Sequence, residues 1–248
     1  MIGLGTIVNA AAIIAGGTAG ILVKNGLPER YKTTVMQGIG LSVLVIGISG
    51  TLRGIFDISQ NHIIETQYIM TMIFSLVIGG IIGELLNIEQ KMEKLGVWFQ
   101  NRIDRGKTSQ SGSSFAEGFV TASLIYCVGA MAIVGSLEDG LSGNTSTLFA
   151  KSILDGVSAI IFSATMGAGV TFSALPVFIY QGSITLLAGF IKPWLTDSVI
   201  NQMSLAGSVL ILAIGINLLE IKKIKVGNML PAIFLPLIYY VITRLIGF

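Results

Sequence analysis

The sequence predicts an all-α polytopic membrane protein with about eight transmembrane helices. Hydrophobic residues make up 52% of the 248 residues, and charged residues make up only 11%. The mean hydropathy is +0.82, whereas a soluble domain carries roughly a quarter charged residues. This composition excludes an ordinary cytosolic enzyme, a disordered protein and a nucleic-acid-binding protein.

Apolar stretches near the length of about 20 residues that crosses a bilayer define the spans. They are predicted at residues 2–23, 34–52, 67–86, 115–134, 148–170, 175–191, 199–219 and 229–248. Only Thr171 to Ala174 separate the fifth span from the sixth, so a broken or re-entrant segment would look similar there. Seven spans are the alternative.

The first span is predicted to be an uncleaved helix, because its first positive charges follow the apolar run instead of preceding it. With the N-terminus outside, the three inner loops carry three, five and three basic residues, which is 11 of the 15 in the chain. Basic residues accumulate in cytoplasmic loops. Eight spans with both termini outside are therefore expected, since seven would move the lysines at 222–225 to the opposite face.

Residues 89–114 form the longest hydrophilic stretch and separate a three-helix part, 1–88, from a five-helix part, 115–248. The stretch begins with KMEKLGVWFQNRIDRGK, in which Trp98 and Phe99 stand among basic residues. Aromatic and basic side chains favour the headgroup region. An amphipathic helix on the cytoplasmic membrane surface is expected, followed by a flexible linker; a docking site for a soluble partner is the alternative.

The two parts resemble one another faintly. GTIVNAAAIIAGGTAGIL from Gly5 aligns with GFVTASLIYCVGAMAIVG from Gly118, and VMQGIGLSV aligns with ILDGVSAII, which pairs Gln37 with Asp155. Three spans precede the second copy, so the copies would form an inverted repeat, as in secondary transporters that bind substrate where two repeats meet. Shared composition is the alternative explanation.

Asp155 is the strongest functional candidate, because ionisable groups at bilayer depth are costly. Lys151, four residues earlier, shares its helix face. The two side chains form a structural pair, or Asp155 binds a proton or cation that displaces the ammonium; Lys151 can also extend to the headgroups. A water-filled cavity shared with Asn9, Gln37 or Gln181 would favour function. A dry interface with Lys151 would favour structure.

Other carboxylates have strong structural alternatives. Glu117 opens the fourth span, where it binds an ion or complements a helix N-terminus. Glu84, near the cytoplasmic end of the third span, lines a pathway or reaches the interface. Glu138 and Asp139 in SLEDGLSG are expected in an exposed outer turn, with Gly140 in a left-handed conformation; a cation-collecting vestibule is the alternative.

Amides and glycines complete the candidates inside the spans. Each amide belongs to a binding site or forms an interhelical hydrogen bond: Asn9, Gln37, Gln181 and Asn217. Two patterns predict close helix packing: Gly16-x-x-x-Gly20 and Gly79-x-x-x-Gly83.

The sequence SATMGAGVTFSALP (163–176) predicts an interrupted helix. Gly167, Gly169 and Pro176 fall between two spans, and an unwound segment would expose backbone groups to an ion or an anionic substrate. A tight turn outside the membrane explains the same residues.

Catalytic and cofactor motifs are missing from the sequence. One cysteine and one histidine, Cys127 and His62, exclude an internal disulfide and a Cys/His zinc site. The chain contains no HExxH motif, no P-loop and no nucleophile motif in a strand–turn–helix setting. We expect no enzymatic activity, no cofactor and no metal site.

Four stretches resemble a known family: residues 118–143, 148–159, 166–182 and 5–20. The chain is similar along nearly its whole length to the bacterial inner-membrane family of unknown function that includes YqgA and YdfK. The resemblance implies a multi-pass protein of the bacterial plasma membrane and brings no substrate or active site. Family-like positions include the following candidates: Asn9, Glu117, Lys151, Asp155, Gly167, Gly169 and Gln181.

The leading functional hypothesis is a secondary transporter or exporter of a small polar solute or ion, coupled to a proton or cation gradient. Asp155, with Glu117 or Glu84, would carry the coupling ion, and residues 167–176 would line the path. A passive channel and a non-transporting scaffold or sensor are the alternatives. The expected partners are the lipid bilayer and a small solute or ion, with no nucleic acid; a homo-oligomer is compatible with the sequence.

Overall fold

The computed structural model describes residues 1–24, 29–58, 64–103, 112–127 and 130–246, and almost all of this part is helical, which confirms the all-α class. His62, Gly129 and residues 104–111 of the predicted linker lie outside the described residues. The α-helices are α1 (Leu4–Lys24), α2 (Glu29–Ile55), α3 (Ile69–Leu86), α4 (Ile88–Ile103), α5 (Gly112–Cys127), α6 (Ala130–Ser142), α7 (Ser146–Met166), α8 (Gly169–Phe172), α9 (Ala174–Leu186), α10 (Ala188–Ile191), α11 (Asp197–Leu218) and α12 (Leu235–Ile246). Two 3₁₀ helices, Lys192–Trp194 and Val226–Ile233, and two strands, β1 (Phe56–Ile58) and β2 (Ile64–Thr66), complete the elements.

Seven helical segments within the described ranges are long and apolar enough to cross a membrane. An eighth span results if α5 and α6, which are bent by 61° relative to one another, are counted together. The prediction of about eight spans is therefore confirmed. The predicted fourth span, 115–134, ends earlier than this pair of helices, because α6 extends to Ser142.

The helices form two compact units. Unit 1 comprises Met1–Gln37, Gln90–Cys127 and Met131–Phe190; unit 2 comprises Gly38–Glu89, Val128–Ala130 and Ile191–Phe248. Each unit combines helices from both sides of the hydrophilic segment, which itself contains the amphipathic helix α4. The division into 1–88, 89–114 and 115–248 therefore describes sequence order, and that division and the inverted repeat stay predictions.

Unit 1 is built on the close packing of α1 against α7. A Cβ on Gly16 would fall on the carbonyl oxygen of Gly156, and a Cβ on Gly20 would fall on that of Ile160. Only glycine lets two helix backbones approach this closely, which confirms the first packing pattern. The contact advances along both helices in the same direction, so α1 and α7 are parallel, as the first and fifth spans of an eight-span chain must be.

A buried carboxylate of α6 holds the start of α1. Asp139 is 0% exposed, and its two oxygens accept the backbone N–H groups of Gly3 and Gly5, each at 3.0 Å. These N–H groups have no partner inside the helix, and the helix dipole favours a negative charge there. The prediction of an exposed turn is wrong for both Glu138 and Asp139, because α6 continues through them; Glu138 is half-buried and Asp139 fully buried. The left-handed glycine is Gly143, with φ 70°, and not Gly140.

The interruption between the fifth and sixth spans lies earlier than the predicted boundary. Helix α7 ends before Gly167, whose φ of 85° is a conformation that favours glycine. The predicted connection at Thr171–Ala174 is mostly helical, within α8 and the start of α9. A Cβ on Gly169 would fall on the carbonyl oxygen of Phe115, so α8 packs directly against the backbone of α5.

Unit 2 packs α2 against α11 and α3 against the 3₁₀ helix that precedes α12. A Cβ on Gly79 would meet the backbone of Ala232, and a Cβ on Gly83 would fall on the carbonyl oxygen of Asn228. The second packing pattern is therefore also confirmed. Strands β1 and β2, which the sequence analysis did not predict, form an antiparallel pair.

Two neighbouring glycines of α3 test this packing. Gly79→Ala places a Cβ against the Ala232 backbone, whereas Gly80→Ala meets nothing within 4 Å. We expect Gly79→Ala to lower the free energy of unfolding by about 1–3 kcal/mol, the usual cost of overpacking, and Gly80→Ala to be neutral or stabilising. Thermal unfolding of both purified variants in detergent measures the difference, and equal midpoints would contradict the packing of α3.

The carboxylate at the start of α1 gives a second prediction. Asp139→Asn removes the charge from two hydrogen bonds, and hydrogen bonds to charged groups contribute about 1.5–3 kcal/mol each. We expect a loss of roughly 2 kcal/mol and faster hydrogen–deuterium exchange in the N-terminal peptide. The control is Glu138→Gln, which can still accept the hydrogen bond of the Thr147 hydroxyl. Unchanged exchange in Asp139→Asn would show that α1 does not depend on this carboxylate.

Candidate functional site

Asp155 lies at the centre of a buried polar cluster in unit 1. Lys151, one turn earlier on α7, places its Nζ 2.6 Å from Asp155 Oδ2, and each residue is only 6% exposed. Asn9 of α1 donates a hydrogen bond from Nδ2 to the same carboxylate oxygen at 3.0 Å. Lys151 is therefore paired inside the protein and does not extend to the membrane surface.

Gln181 of α9 completes the cluster. Its Oε1 accepts a hydrogen bond from Asn9 Nδ2 at 3.2 Å, so the Asn9 amide bridges α7 and α9. Asn9 and Gln181 are both 0% exposed. Among the described residues, Asn9 Oδ1 and Gln181 Nε2 have no hydrogen-bond partner. A buried polar atom without a partner costs about 1–3 kcal/mol, so a group bound at these two atoms would stabilise the cluster.

The carboxylate determines which atoms of the two amides stay unpaired. An ionised carboxylate only accepts hydrogen bonds, so Asn9 turns its NH2 group toward Asp155 and its Oδ1 away. Gln181 then turns its Oε1 toward the same NH2 group and its Nε2 away. The cluster thus presents a hydrogen-bond acceptor and a donor beside a neutral ion pair. Protonation of Asp155 would release this constraint, because a protonated carboxyl group also donates.

A second polar layer lies between the cluster and the start of α1. Thr6 Oγ1 and Thr185 Oγ1 are 3.4 Å apart, and Thr185 Oγ1 donates to the backbone carbonyl of Ser136 at 3.2 Å. These threonines stand one turn from the two amides along α1 and α9. One turn further in the other direction on α1, Ile13 is fully buried. Polar groups therefore line unit 1 from the start of α1 to the cluster, and an apolar layer follows.

The structure brings four of the predicted site residues together: Asn9, Lys151, Asp155 and Gln181. Gly167 and Gly169 belong to the same unit, but they lie beyond the end of α7, and Gly167 is roughly 18 Å from Asp155 along the helix axis.

Two predicted residues do not join the cluster's hydrogen bonds. Gln37 is an exposed residue of α2, although the repeat alignment pairs it with the buried Asp155. Glu117 is an exposed residue of α5. Neither belongs to the hydrogen-bonded set around Asp155 in the part of the chain that the structure describes.

Glu84 belongs to a different set of contacts, in unit 2. Its carboxylate accepts hydrogen bonds from Lys225 Nζ and Asn228 Nδ2, each at 2.6 Å, and Asn228 Oδ1 accepts the backbone N–H of Glu89 at 2.8 Å. The hydrogen bond to Glu84 raises the pKa of Lys225 above its ordinary value, and the charges of Glu84 and Glu89 act in the same direction. More than half of each side chain in the Lys225–Glu84 pair is exposed. These contacts hold the end of α3 against the loop after α11 and the 3₁₀ helix that follows it.

The threonine layer was not predicted from the sequence, and Asp139 was predicted in the wrong environment. Hydroxyl side chains give little signal in an apolar helix, because they commonly bond to the carbonyl group four residues earlier. Ser152 and Ser136 do this here, whereas Thr6 and Thr185 bond across helices. The start of α1 offered a signal that could have predicted a buried position for Asp139, because the backbone N–H groups there need a hydrogen-bond acceptor.

Comparisons with known proteins give a family and no activity. Residues 4–241 match the family described as "Protein of unknown function (DUF554)". The chain is 34% identical over 232 residues to the "Uncharacterized membrane protein YdfK" of Bacillus subtilis, covering 94% of this chain and 93% of that protein. It is 30% identical over 234 residues to the "Uncharacterized protein YqgA" of Escherichia coli, covering 94% of each. No solved structure matches the chain. The chain is a multi-helix membrane protein and belongs to this family of unknown function.

Proposed function

We propose that the protein is a secondary transporter of a small polar solute or ion, with Asp155 as the residue that binds the coupling proton or cation. One observation carries the proposal. A carboxylate, an ammonium and two amides meet inside a membrane-spanning unit, and the amides keep an acceptor and a donor that have no partner within the described ranges. Buried ionisable groups within membrane spans mark ion and substrate pathways.

The buried contact between Lys151 and Asp155, each 6% exposed, is the arrangement that favours a structural pair, so a purely structural ion pair is the competing explanation. Such a pair contributes little net stability, because desolvation of the two charges offsets their attraction. Two apolar residues of similar volume would serve a structural purpose as well. A structural pair accounts for the Asn9 hydrogen bond, because a buried ion pair needs additional hydrogen bonds. It does not explain why Gln181 joins the cluster while one atom of each amide lacks a partner among the described residues. A site that exchanges ligands requires such atoms when it is empty.

Competition for Asp155 supplies the coupling step. Lys151 and Asn9 both hold the same carboxylate oxygen, so a proton or cation that reaches Asp155 displaces the ammonium or weakens its hold. That change also frees the Asn9 amide to turn, and the hydrogen bond from Asn9 to Gln181 transmits the change to α9. Ion occupancy at α7 therefore alters the donor and acceptor pattern that α9 presents.

Flux measurements on reconstituted protein test the proposal. Liposomes loaded with the pH-sensitive dye pyranine receive pools of amino acids, amines, organic acids and nucleosides, and the internal pH is followed. We expect at least one pool to move protons in a saturable manner. Asp155→Asn should reduce proton movement at least tenfold, because the coupling group is lost. The variant should still exchange solute when its concentration is equal on the two sides of the membrane, because the amides remain.

A double variant separates this role from a structural one. Lys151→Met with Asp155→Leu replaces the ion pair by apolar side chains, which stability alone tolerates. We expect this protein to unfold near the wild-type temperature and to be inactive. Wild-type flux in the double variant would make the pair structural. Single-channel currents without saturation would favour a channel, and no flux with any pool from inserted protein would contradict transport.

The proposed orientation in the bacterial plasma membrane, with both termini outside, has its own test. In a Cys127→Ser background, Asn144→Cys lies in the connection between α6 and α7, and Lys223→Cys lies in the loop after α11; both positions are exposed. A membrane-impermeant maleimide added to intact bacterial cells should label the first and not the second. Permeabilised cells should show labelling of both, and the reverse pattern in intact cells would overturn the orientation.

A further inference from the structure

Two buried hydroxyl groups without partners lie beside the interruption between α7 and α8. Ser163, in the last turn of α7, is 0% exposed, and Thr171 belongs to α8. Neither Ser163 Oγ nor Thr171 Oγ1 has a hydrogen-bond partner among the described residues. Most other helix hydroxyls of unit 1 bond to a carbonyl three or four residues earlier, as Ser152 and Ser173 do. The two orphan oxygens therefore require an explanation.

Both side chains lie against the same strip of α1. A Cβ on Gly17 would fall on Thr171 Oγ1, and a Cβ on Gly20 would approach the Cβ of Ser163. Gly17 and Gly20 are one helical turn apart, so the two side chains approach α1 within about 5 Å of one another along its axis. The glycines leave no side chain of their own to satisfy the hydroxyl groups.

The electrostatics of this place favour a cation. The C-terminal end of a helix carries a partial negative charge, and Ser163 lies in the last turn of the 21-residue helix α7. Oxygen atoms are the preferred ligands of alkali and alkaline-earth ions, but calcium and magnesium are normally held by carboxylates. Both hydroxyl groups are neutral, so the site suits a small monovalent cation. In transporters, interrupted helices coordinate sodium at such ends.

We infer that Ser163 Oγ and Thr171 Oγ1, together with the backbone at the end of α7, form a binding site for a sodium ion. The site is separate from the cluster around Asp155, because Ser163 lies eight residues or about 12 Å further along α7. The fully buried Ala159 and Ile13 lie between the two sites along α7 and α1. The inference therefore stands without the proposed role of Asp155.

Aromatic packing joins α8, which carries Thr171, to α5. The rings of Phe115 and Phe172 lie 5.6 Å apart, and Gly169 brings α8 against the backbone of α5. A sodium ion bound here would join α1, α7 and α8. Sodium should therefore stabilise the folded protein, since a ligand that binds only the folded state raises its free energy of unfolding.

Thermal unfolding of the purified full-length protein in detergent tests the inference. The melting temperature is measured in choline chloride with increasing sodium chloride, at constant ionic strength, and with potassium chloride as the comparison. We expect a saturable rise with sodium that potassium does not reproduce. Ser163→Ala and Thr171→Val should each weaken the apparent sodium affinity at least tenfold, whereas Thr171→Ser, which keeps the hydroxyl group, should retain the response.

Two variants make the outcome specific. Ser204 of α11 also has a buried hydroxyl group that finds no partner in the described part of the chain, but it lies within a continuous helix, so Ser204→Ala should keep the full sodium response. Asp155→Asn should keep it too. An unresponsive wild type, or an unchanged response in Ser163→Ala and Thr171→Val, would overturn the site. A response lost only in Asp155→Asn would place sodium at Asp155 instead.

Sodium-23 relaxation of the wild-type protein gives a measurement that does not depend on the folding of any variant.

Discussion

The approach of the α1 backbone to the α7 backbone is the contact on which the rest of unit 1 depends. At Gly16 and Gly20 a single added carbon would occupy the place of a carbonyl oxygen on α7. That closeness lets the short side chain of Asn9 reach Asp155. Without it, the carboxylate would have Lys151 as its main partner inside the membrane. A buried ion pair is tolerated only when additional hydrogen bonds satisfy its charges. The glycines therefore permit the hydrogen bond that helps to offset the free-energy cost of burying the charged cluster.

One face of α1 serves several partners in succession. Its start binds Asp139 of α6, the next two turns carry Thr6 and Asn9, and the turns after Ile13 present glycines to α7 and α8. This order follows from the helical period, because residues three or four apart share a face. A displacement of α1 would change the Asp139 contact, the threonine layer and the cluster together. The helix is thus the element through which these layers are coupled.

The sequence was sufficient to predict the features that depend on overall composition or on a residue type that is rare within apolar spans. The spans followed from hydropathy, and Asp155 and Lys151 stood out because few charges lie within spans; Asn9 and Gln181 were polar residues in apolar runs. The predictions that failed concerned side chains whose environment is determined by tertiary contacts. Asp139 looked like a turn residue, because SLEDGLSG is polar and glycine-rich and nothing in it shows that the start of α1 needs an acceptor. Gln37 was selected as an amide within an apolar run and was paired with Asp155 by the repeat alignment, and neither observation shows which way a helix face points.

Charge balance limits how the cluster can work under the proposed function. Lys151 and Asp155 together are neutral, so a proton on Asp155 alone would leave a buried ammonium without its carboxylate, at a cost of several kcal/mol. The proton can stay only if Lys151 finds another anion or reaches water. A substrate that carries a negative group would supply that anion, and its binding would then favour protonation of Asp155. By linkage the coupling is reciprocal: the proton would raise the affinity for the anionic group by the same factor. For a substrate without a negative group, the proton or cation would have to displace the ammonium directly. The two kinds of substrate differ in whether transport moves net charge across the membrane.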